Sequence, residues 1–225
     1  MTLAQDALDT VARLRRQVSD LHAELTANEL VVWTAGNISA RVPGRDLMVI
    51  KPSGVPYADL APENMVLTDL YGTPLDGGGS PSSDTAAHAY VYRHMPAVNG
   101  VVHTHSAYAT AWAARAEPIP CVLTMMADEF GGEIPVGPFA LIGDDSIGRG
   151  IVDVLSGHRS TAVLMQNHGV FTIGTDARAA VKSAVLCEEV ARTVHISAQL
   201  GDLVPIPQQH IDSLYERYHN AYGQQ

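Results

Sequence analysis

Short apolar, β-branched runs alternate along this chain with longer amphipathic stretches, and that alternation constrains the fold more than any other feature. Leu8, Val11, Leu14, Val18, Leu21 and Leu25 recur three or four residues apart, which predicts a surface helix over residues 3–28 with one apolar face. Strand-length runs follow at 31–33, 47–50 and 66–69, with the turn residues 43–46 between the first two. A glycine-rich loop at 76–80 opens onto Pro81-Ser82-Ser83-Asp84, a helix start, and a helix to about Met95. Beyond it the pattern predicts strands at 99–104, 139–142, 161–166 and 169–173, helices at 108–115, 146–155 and 177–200, and a polar tail from 205 to 225. Strands interleave with helices throughout and no repeat or linker interrupts them, so the expectation is one α/β layered domain spanning residues 1–225.

Composition narrows what such a domain can do. Of 225 residues 46% are hydrophobic and 17% charged, enough to bury one substantial core. Twenty-four acids against fourteen bases give a net charge of −10, which argues against a nucleic-acid surface, since phosphate backbones require a basic stripe. Cys121 and Cys187 lie far apart without metal-knuckle spacing, so neither a disulfide framework nor a cysteine zinc site is indicated. The charged first thirty residues contain no apolar signal core, and no later stretch has the length of a membrane span. A reducing, cytoplasmic setting without membrane contact is the expectation.

Chemistry concentrates in Val101-Val102-His103-Thr104-His105. Residues two apart on a strand share a face, so two imidazoles there can reach one metal ion, although an isolated pair could equally make ordinary hydrogen bonds. His168 stands at a strand junction beside Gly169, and would complete three neutral nitrogen ligands with a position left open for substrate. Asp84 is either a fourth ligand or catalytic base, or an acid stabilised by the dipole of the helix it starts. Ser82 and Ser83 are either helix caps or hydroxyl donors to an anion at that helix N-terminus. Gly36-Asn37-Ile38-Ser39 and Lys51-Pro52-Ser53-Gly54 are two further small polar turns able to present amides and hydroxyls to an anion. Lys51 and Lys182 are the chain's two lysines, so Schiff-base chemistry has few candidates and carbonyl chemistry would more naturally employ a metal.

Together these segments resemble the class II aldolase and adducin family along nearly the whole chain, from about Leu25 onward. The strongest match is Pro81-Ser82-Ser83-Asp84 followed, after a helix, by Val101-Val102-His103-Thr104-His105-Ser106, with His168 downstream. The resemblance implies a three-layer α/β domain with a central, largely antiparallel sheet flanked by helices. It implies a Zn²⁺ site, or Mn²⁺ or Co²⁺, on His103, His105 and His168 with Asp84, and a phosphate site on Asn37, Ser53, Gly54, Ser82 and Ser83 beside Lys51. Family aldolases usually have glutamate after the two serines, whereas family pentulose-phosphate 4-epimerases have aspartate, as here. The segment 127–135 resembles the epimerases' acid/base segment and the ending Asn220-Ala221-Tyr222-Gly223-Gln224 resembles their tail, which places proton transfer on Asp128 and on Tyr222 from a neighbouring subunit. Met125-Met126 replace polar residues of that pattern, and Leu214 aligns with a tail histidine, while Thr124 and Arg217 fit. The implied reaction interconverts L-ribulose 5-phosphate and D-xylulose 5-phosphate by retro-aldol cleavage, in a homotetramer with active sites at subunit interfaces and the tail contributing to them. A phosphate-sugar aldolase and a non-catalytic adducin-like binding domain are the alternatives.

Overall fold

The computed structural model describes residues 5–76 and 79–221. Its elements in chain order are α1 (Gln5–Ala27), β1 (Asn37–Arg41), β2 (Leu47–Ile50), β3 (Val66–Asp69), α2 (Thr85–His94), β4 (Gly100–Thr104), α3 (Ala107–Arg115), α4 (Thr124–Phe130), β5 (Val136–Gly137), α5 (Ser146–Leu155), β6 (Ala162–Met165), β7 (Gly169–Gly174), α6 (Ala177–Leu200) and α7 (Gln208–Asn220). The strands form one sheet in the order β3-β2-β1-β4-β7-β6-β5, antiparallel except for the β5–β6 pair.

Alternation along the strands divides the core between the two faces. Ile38, Ala40, Val49, Leu67 and Val102 pack with α1 and the start of α6. Met48, Val101, Val163, Phe171 and Ile173 point the other way, against α2 and α5. A third cluster joins α3, α4, α7 and the middle of α6 over β6 and β7. The α/β sandwich with a largely antiparallel sheet is thus the observed architecture. On α1, Val11, Leu14, Val18, Leu21 and Leu25 are buried as their spacing predicts, while Leu8 remains half-exposed.

Four local expectations are corrected. Residues 31–33 form no strand: Trp33 turns through a left-handed conformation (φ 58°) and is 85% exposed. The strand begins instead at Asn37, in the polar sequence Asn-Ile-Ser-Ala-Arg, because the first strand runs between β2 and β4 and its polar side chains find buried partners. Residues 139–142 are also not a strand: Phe139, Leu141 and Ile142 are exposed between Pro138 and Gly143, and the short β5 precedes them. A helix over Thr124–Phe130, ended by Gly131 at φ 65°, appears where no element was expected, and most of the polar tail is helical as α7. Among the described residues no helix is long and apolar enough to cross a membrane.

Candidate metal centre and active site

The site is built on the end of the central strand. Register places Asn37, His103 and Phe171 side by side across β1, β4 and β7, so all three project from the α2 face. His105 follows two residues later, and the β6–β7 turn brings in His168 through Asn167, whose φ is 57°. Nε2 of His103 and Nε2 of His105 are 2.9 Å apart, and one nitrogen from each of His103, His105 and His168 lies within 4.8 Å of the others. Two glycines permit this crowding. A Cβ on Gly169 would stand 2.5 Å from the Thr104 carbonyl oxygen and 3.2 Å from His103 Cε1. One on Gly36 would meet the His103 carbonyl oxygen at 2.9 Å, and its φ of 79° also favours glycine.

Hydrogen bonding and burial set the imidazoles up as ligands. Nδ1 of His103 donates to the Val170 carbonyl oxygen at 2.9 Å, which leaves the Nε2 lone pair free for a metal. Burial pushes His103 down to about 3 against the pull of Asp84, and burial likewise lowers His105 and His168. All three are therefore neutral at pH 7, the state a metal requires. Phe171 stacks on the His103 ring, with centroids 4.1 Å apart and planes 14° from parallel, fixing its orientation.

Asp84 lies at the N-terminus of α2, buried, and its side chain makes no cap to that helix. Burial opposes its ionisation, but His103, His88 and the Asn37 hydrogen bond hold its carboxyl below the ordinary value. Asn37 Nδ2 donates to Asp84 Oδ2 at 2.8 Å and to Ser82 Oγ at 2.9 Å, so one amide, on the residue paired with His103 across β1 and β4, ties Asp84 to the serine turn. Asp84 Oδ1, Asn37 Oδ1 and His168 Nδ1 are buried without hydrogen-bond partners among the described residues. Buried polar atoms in that condition are costly, which marks this pocket as built for a partner the chain itself does not supply. The donor set, three neutral imidazoles with a carboxylate nearby, therefore fits a divalent metal.

The two polar turns come together beside it. Ser53 N donates to Ser80 O at 2.9 Å and Ser82 N to Lys51 O at 3.0 Å, joining the 51–54 turn to the start of α2. Ser53, Gly54 and Ser83 are exposed at this junction, whereas Lys51 is buried. Its ammonium donates to the carbonyls of Thr34, Pro52 and Val55 at 3.2–3.3 Å, and burial lowers its pKa. Lys51 thus cross-ties the loops on which Asn37 and Ser53 are carried.

Asp128 belongs to a separate region. It is on α4, with one carboxylate oxygen 3.6 Å from Arg217 of α7, while Lys182 of α6 bonds Glu129 at 2.6 Å and the Tyr218 hydroxyl at 2.8 Å. Tyr222, the other proposed proton-transfer group, lies outside the described residues.

Two contributors, Glu188 and His88, were not anticipated from sequence, and Ser39, expected in an anion-binding turn, is instead buried within β1. Glu188 of α6 accepts the amides of Tyr108 and Ala109, both at 2.9 Å, and so caps the helix that leaves His105. Ser39 and His88 form a buried pair behind Asp84. Nothing local distinguishes Glu188 from other acids on a long helix, while the spacing Asp84–His88, one helical turn, was the available signal for the last.

The fold and site define a class II aldolase-type protein. The family model for the class II aldolase and adducin N-terminal domain matches residues 16–195, and the chain belongs to that family. It is 38% identical over 226 residues to proteins named L-ribulose-5-phosphate 4-epimerase UlaF from Salmonella paratyphi C and Salmonella choleraesuis, covering 93% of this chain and 97% of each relative. Among solved structures it resembles an L-fuculose 1-phosphate aldolase with a TM-score of 0.86 at 24% identity, covering 96% of this chain and 98% of that one. The L-fuculose-1-phosphate aldolase of Thermus thermophilus has a TM-score of 0.68 at 25% identity, over 87% of this chain and 99% of its own.

Proposed function

We propose that this protein is a metal-dependent sugar-phosphate 4-epimerase that interconverts L-ribulose 5-phosphate and D-xylulose 5-phosphate. The observation that carries the proposal is the three-imidazole cluster beside Asn37, the strand neighbour of His103, whose amide joins Asp84 to the serine-rich turn at Ser82. One end of a small substrate would meet the metal ligands and the other the phosphate turn. The epimerase relatives, which match nearly end to end, support the same substrate.

His103, His105 and His168 would hold the ion, Zn²⁺ by the chemistry of the donor set or alternatively Mn²⁺ or Co²⁺, with Asp84 as an added ligand or base. Bound there, it supplies Lewis-acid stabilisation of negative charge on the ketose oxygens. Asn37, Ser53, Gly54, Ser82 and Ser83 hold the phosphate by amides and hydroxyls. Lys51 supplies positive charge beneath them. The C3–C4 bond breaks, the aldehyde of glycolaldehyde phosphate rotates while its phosphate stays held, and the bond re-forms with C4 inverted. Inversion requires proton transfer on two faces: Asp128 serves one by accepting or returning the C4 hydroxyl proton, and Tyr222 serves the other. The resemblance supports a cytoplasmic homotetramer in which a neighbouring subunit contributes the tail, and the exposed Phe139, Leu141 and Ile142 support a covered surface.

The test joins metal analysis of the purified chain to a coupled assay for D-xylulose 5-phosphate made from L-ribulose 5-phosphate. Stoichiometric metal with product formation is the expected outcome. Release of free aldehyde from the ketose phosphate without epimerised product would replace this reading with an aldolase, and a metal-free, inactive protein would leave a binding domain.

A further inference from the structure

We infer that Glu188 of α6 is a positioning residue for the metal centre: by holding the first turn of α3 it sets where His105 stands relative to His168. The inference rests on the reading of His103, His105 and His168 as metal ligands.

His105 is the one residue between the end of β4 at Thr104 and Ser106, the N-cap of α3, so its backbone is placed by those two elements. The strand fixes one side, since Thr104 pairs with Val170 of β7. The other side depends on α3, whose opening amides need acceptors from outside the helix. Ser106 supplies none: its side chain makes no cap, and its hydroxyl is buried without a partner among the described residues. Glu188 serves two of these amides, one carboxylate oxygen accepting from Tyr108 and the other from Ala109, each at 2.9 Å. Its negative charge also stands at the positive end of the helix dipole.

A serine cap would satisfy the same amides but move with the chain that carries it. A cap 80 residues distant in sequence, on another helix, fixes the start of α3 to the core. The point of attachment is firm, because Cys187, Val190 and Ala191 around Glu188 are fully buried. Further along α3, Trp112 Nε1 donates to the Ala191 carbonyl oxygen at 3.4 Å. Near the far end, the Ala113 carbonyl oxygen accepts the amide of Asn167 at 3.1 Å, and Asn167 immediately precedes His168. The helix α3 is thus a strut between two imidazoles, with His105 at its start and the turn of His168 against its last turns. With the far end held, any freedom at the near end becomes variation in the spacing of His105 from His168, which a metal with ligand distances of about 2.0–2.1 Å tolerates poorly. Glu188 therefore acts on the site through backbone, as residues outside a ligand set do when they orient its members.

Full-length protein loaded with cobalt tests this by its visible absorption bands and by cobalt retention against a chelator. Glu188→Ala, which removes both acceptors, should shift the bands and weaken retention about 10-fold. Asp176→Ala is the control: it removes the cap of α6 itself, where the Asp176 carboxylate accepts the Ala179 amide at 2.8 Å, and should leave bands and retention as in wild type. Unchanged bands and retention in Glu188→Ala overturn the inference, and so does an equal loss in Asp176→Ala, which would make the effect one of general stability. If Glu188→Ala does not fold, Glu188→Gln carries the test, since it keeps the side-chain length but one acceptor in place of two. Weakened retention in that folded variant supports the inference, and wild-type retention overturns it. A wild-type chain that binds cobalt without epimerising the substrate defeats the functional reading alone, whereas one that binds no cobalt defeats the metal site and this inference together.

Discussion

The histidine cluster and the Asp128 region carry complementary halves of the proposed chemistry on different foundations. His103 stands on a central strand paired on both sides, its ring held by a carbonyl and a stacked phenylalanine, with two glycines allowing the backbone to close around it. Asp128 rides on the seven-residue α4, and its described partner is Arg217 on a helix whose polar contacts are half in water. Ion pairs of that kind contribute about 0–1 kcal/mol. The difference teaches that the metal end is rigid by construction, while the proton-transfer end is set by how α4, α7 and the tail come together.

Replacing His103 by Asn should produce the largest effect, abolishing turnover and most metal content, measured by metal analysis and coupled assay. Full metal occupancy in a His103→Asn/His105→Asn double variant would break the comparison at its rigid end. Next, Asp128→Asn should lower the epimerase rate about 10²–10⁴-fold while metal content is retained. Loss of metal in that variant would mean that the two regions are not separate.

Acid should act on the sheet side. His22 of α1 accepts the Ile38 amide at Nε2 (3.1 Å) and donates from Nδ1 to Val18 O, anchoring β1 from behind. Burial, opposed by the Val18 bond, lowers it from 6.5 to about 3. Above pH 6.5 it is neutral in both states; below that value the unfolded chain takes up a proton that the folded chain refuses, so stability falls until about pH 3. The loss at pH 5 should be on the order of 2 kcal/mol, from roughly 1.4 kcal/mol per pH unit. Denaturant midpoints at pH 7 and pH 5, compared with His22→Gln, check it: the variant should lose that part of the pH dependence. The smallest effect belongs to Ser82→Ala, which should raise KM for the phosphorylated sugar about 10-fold with kcat nearly preserved, as expected for one hydrogen bond to a charged group. Equal turnover of the unphosphorylated sugar would remove the phosphate site.

The same contrast explains what the sequence disclosed. His103, His105 and Gly169 were legible because a strand period and a close approach impose residue types locally. The serine turn was legible as a helix start, although the Asp84 side chain makes no cap bond to the helix and accepts from Asn37 instead. β1 was missed because Asn37 and Ser39 occupy positions where a buried strand usually places apolar residues; polar groups committed to a site break the pattern that reveals the element. The helix α4 is short and α7 has a single buried residue, Ile211, so neither projects a strong period. Glu188 acts only through groups distant in sequence, which no local window contains, whereas His88 carried a local signal in its one-turn spacing from Asp84.

The position of β4 at the middle of the sheet also bears on how the proposed metal site would acquire an ion. His103 and the carbonyl that fixes its tautomer are 67 residues apart in the chain, so the contact forms only after a long loop has closed. In an unfolded chain His103 and His105 are two imidazoles close together, but His168 reaches them only once β4 has paired with β7. Sheet closure of this non-local kind is slow, and the three-histidine cluster is among its products. An ion held at the proposed site would therefore stabilise a fold that its own core assembles, by binding the native state more tightly than the unfolded one, and would not be the nucleus around which the chain organises.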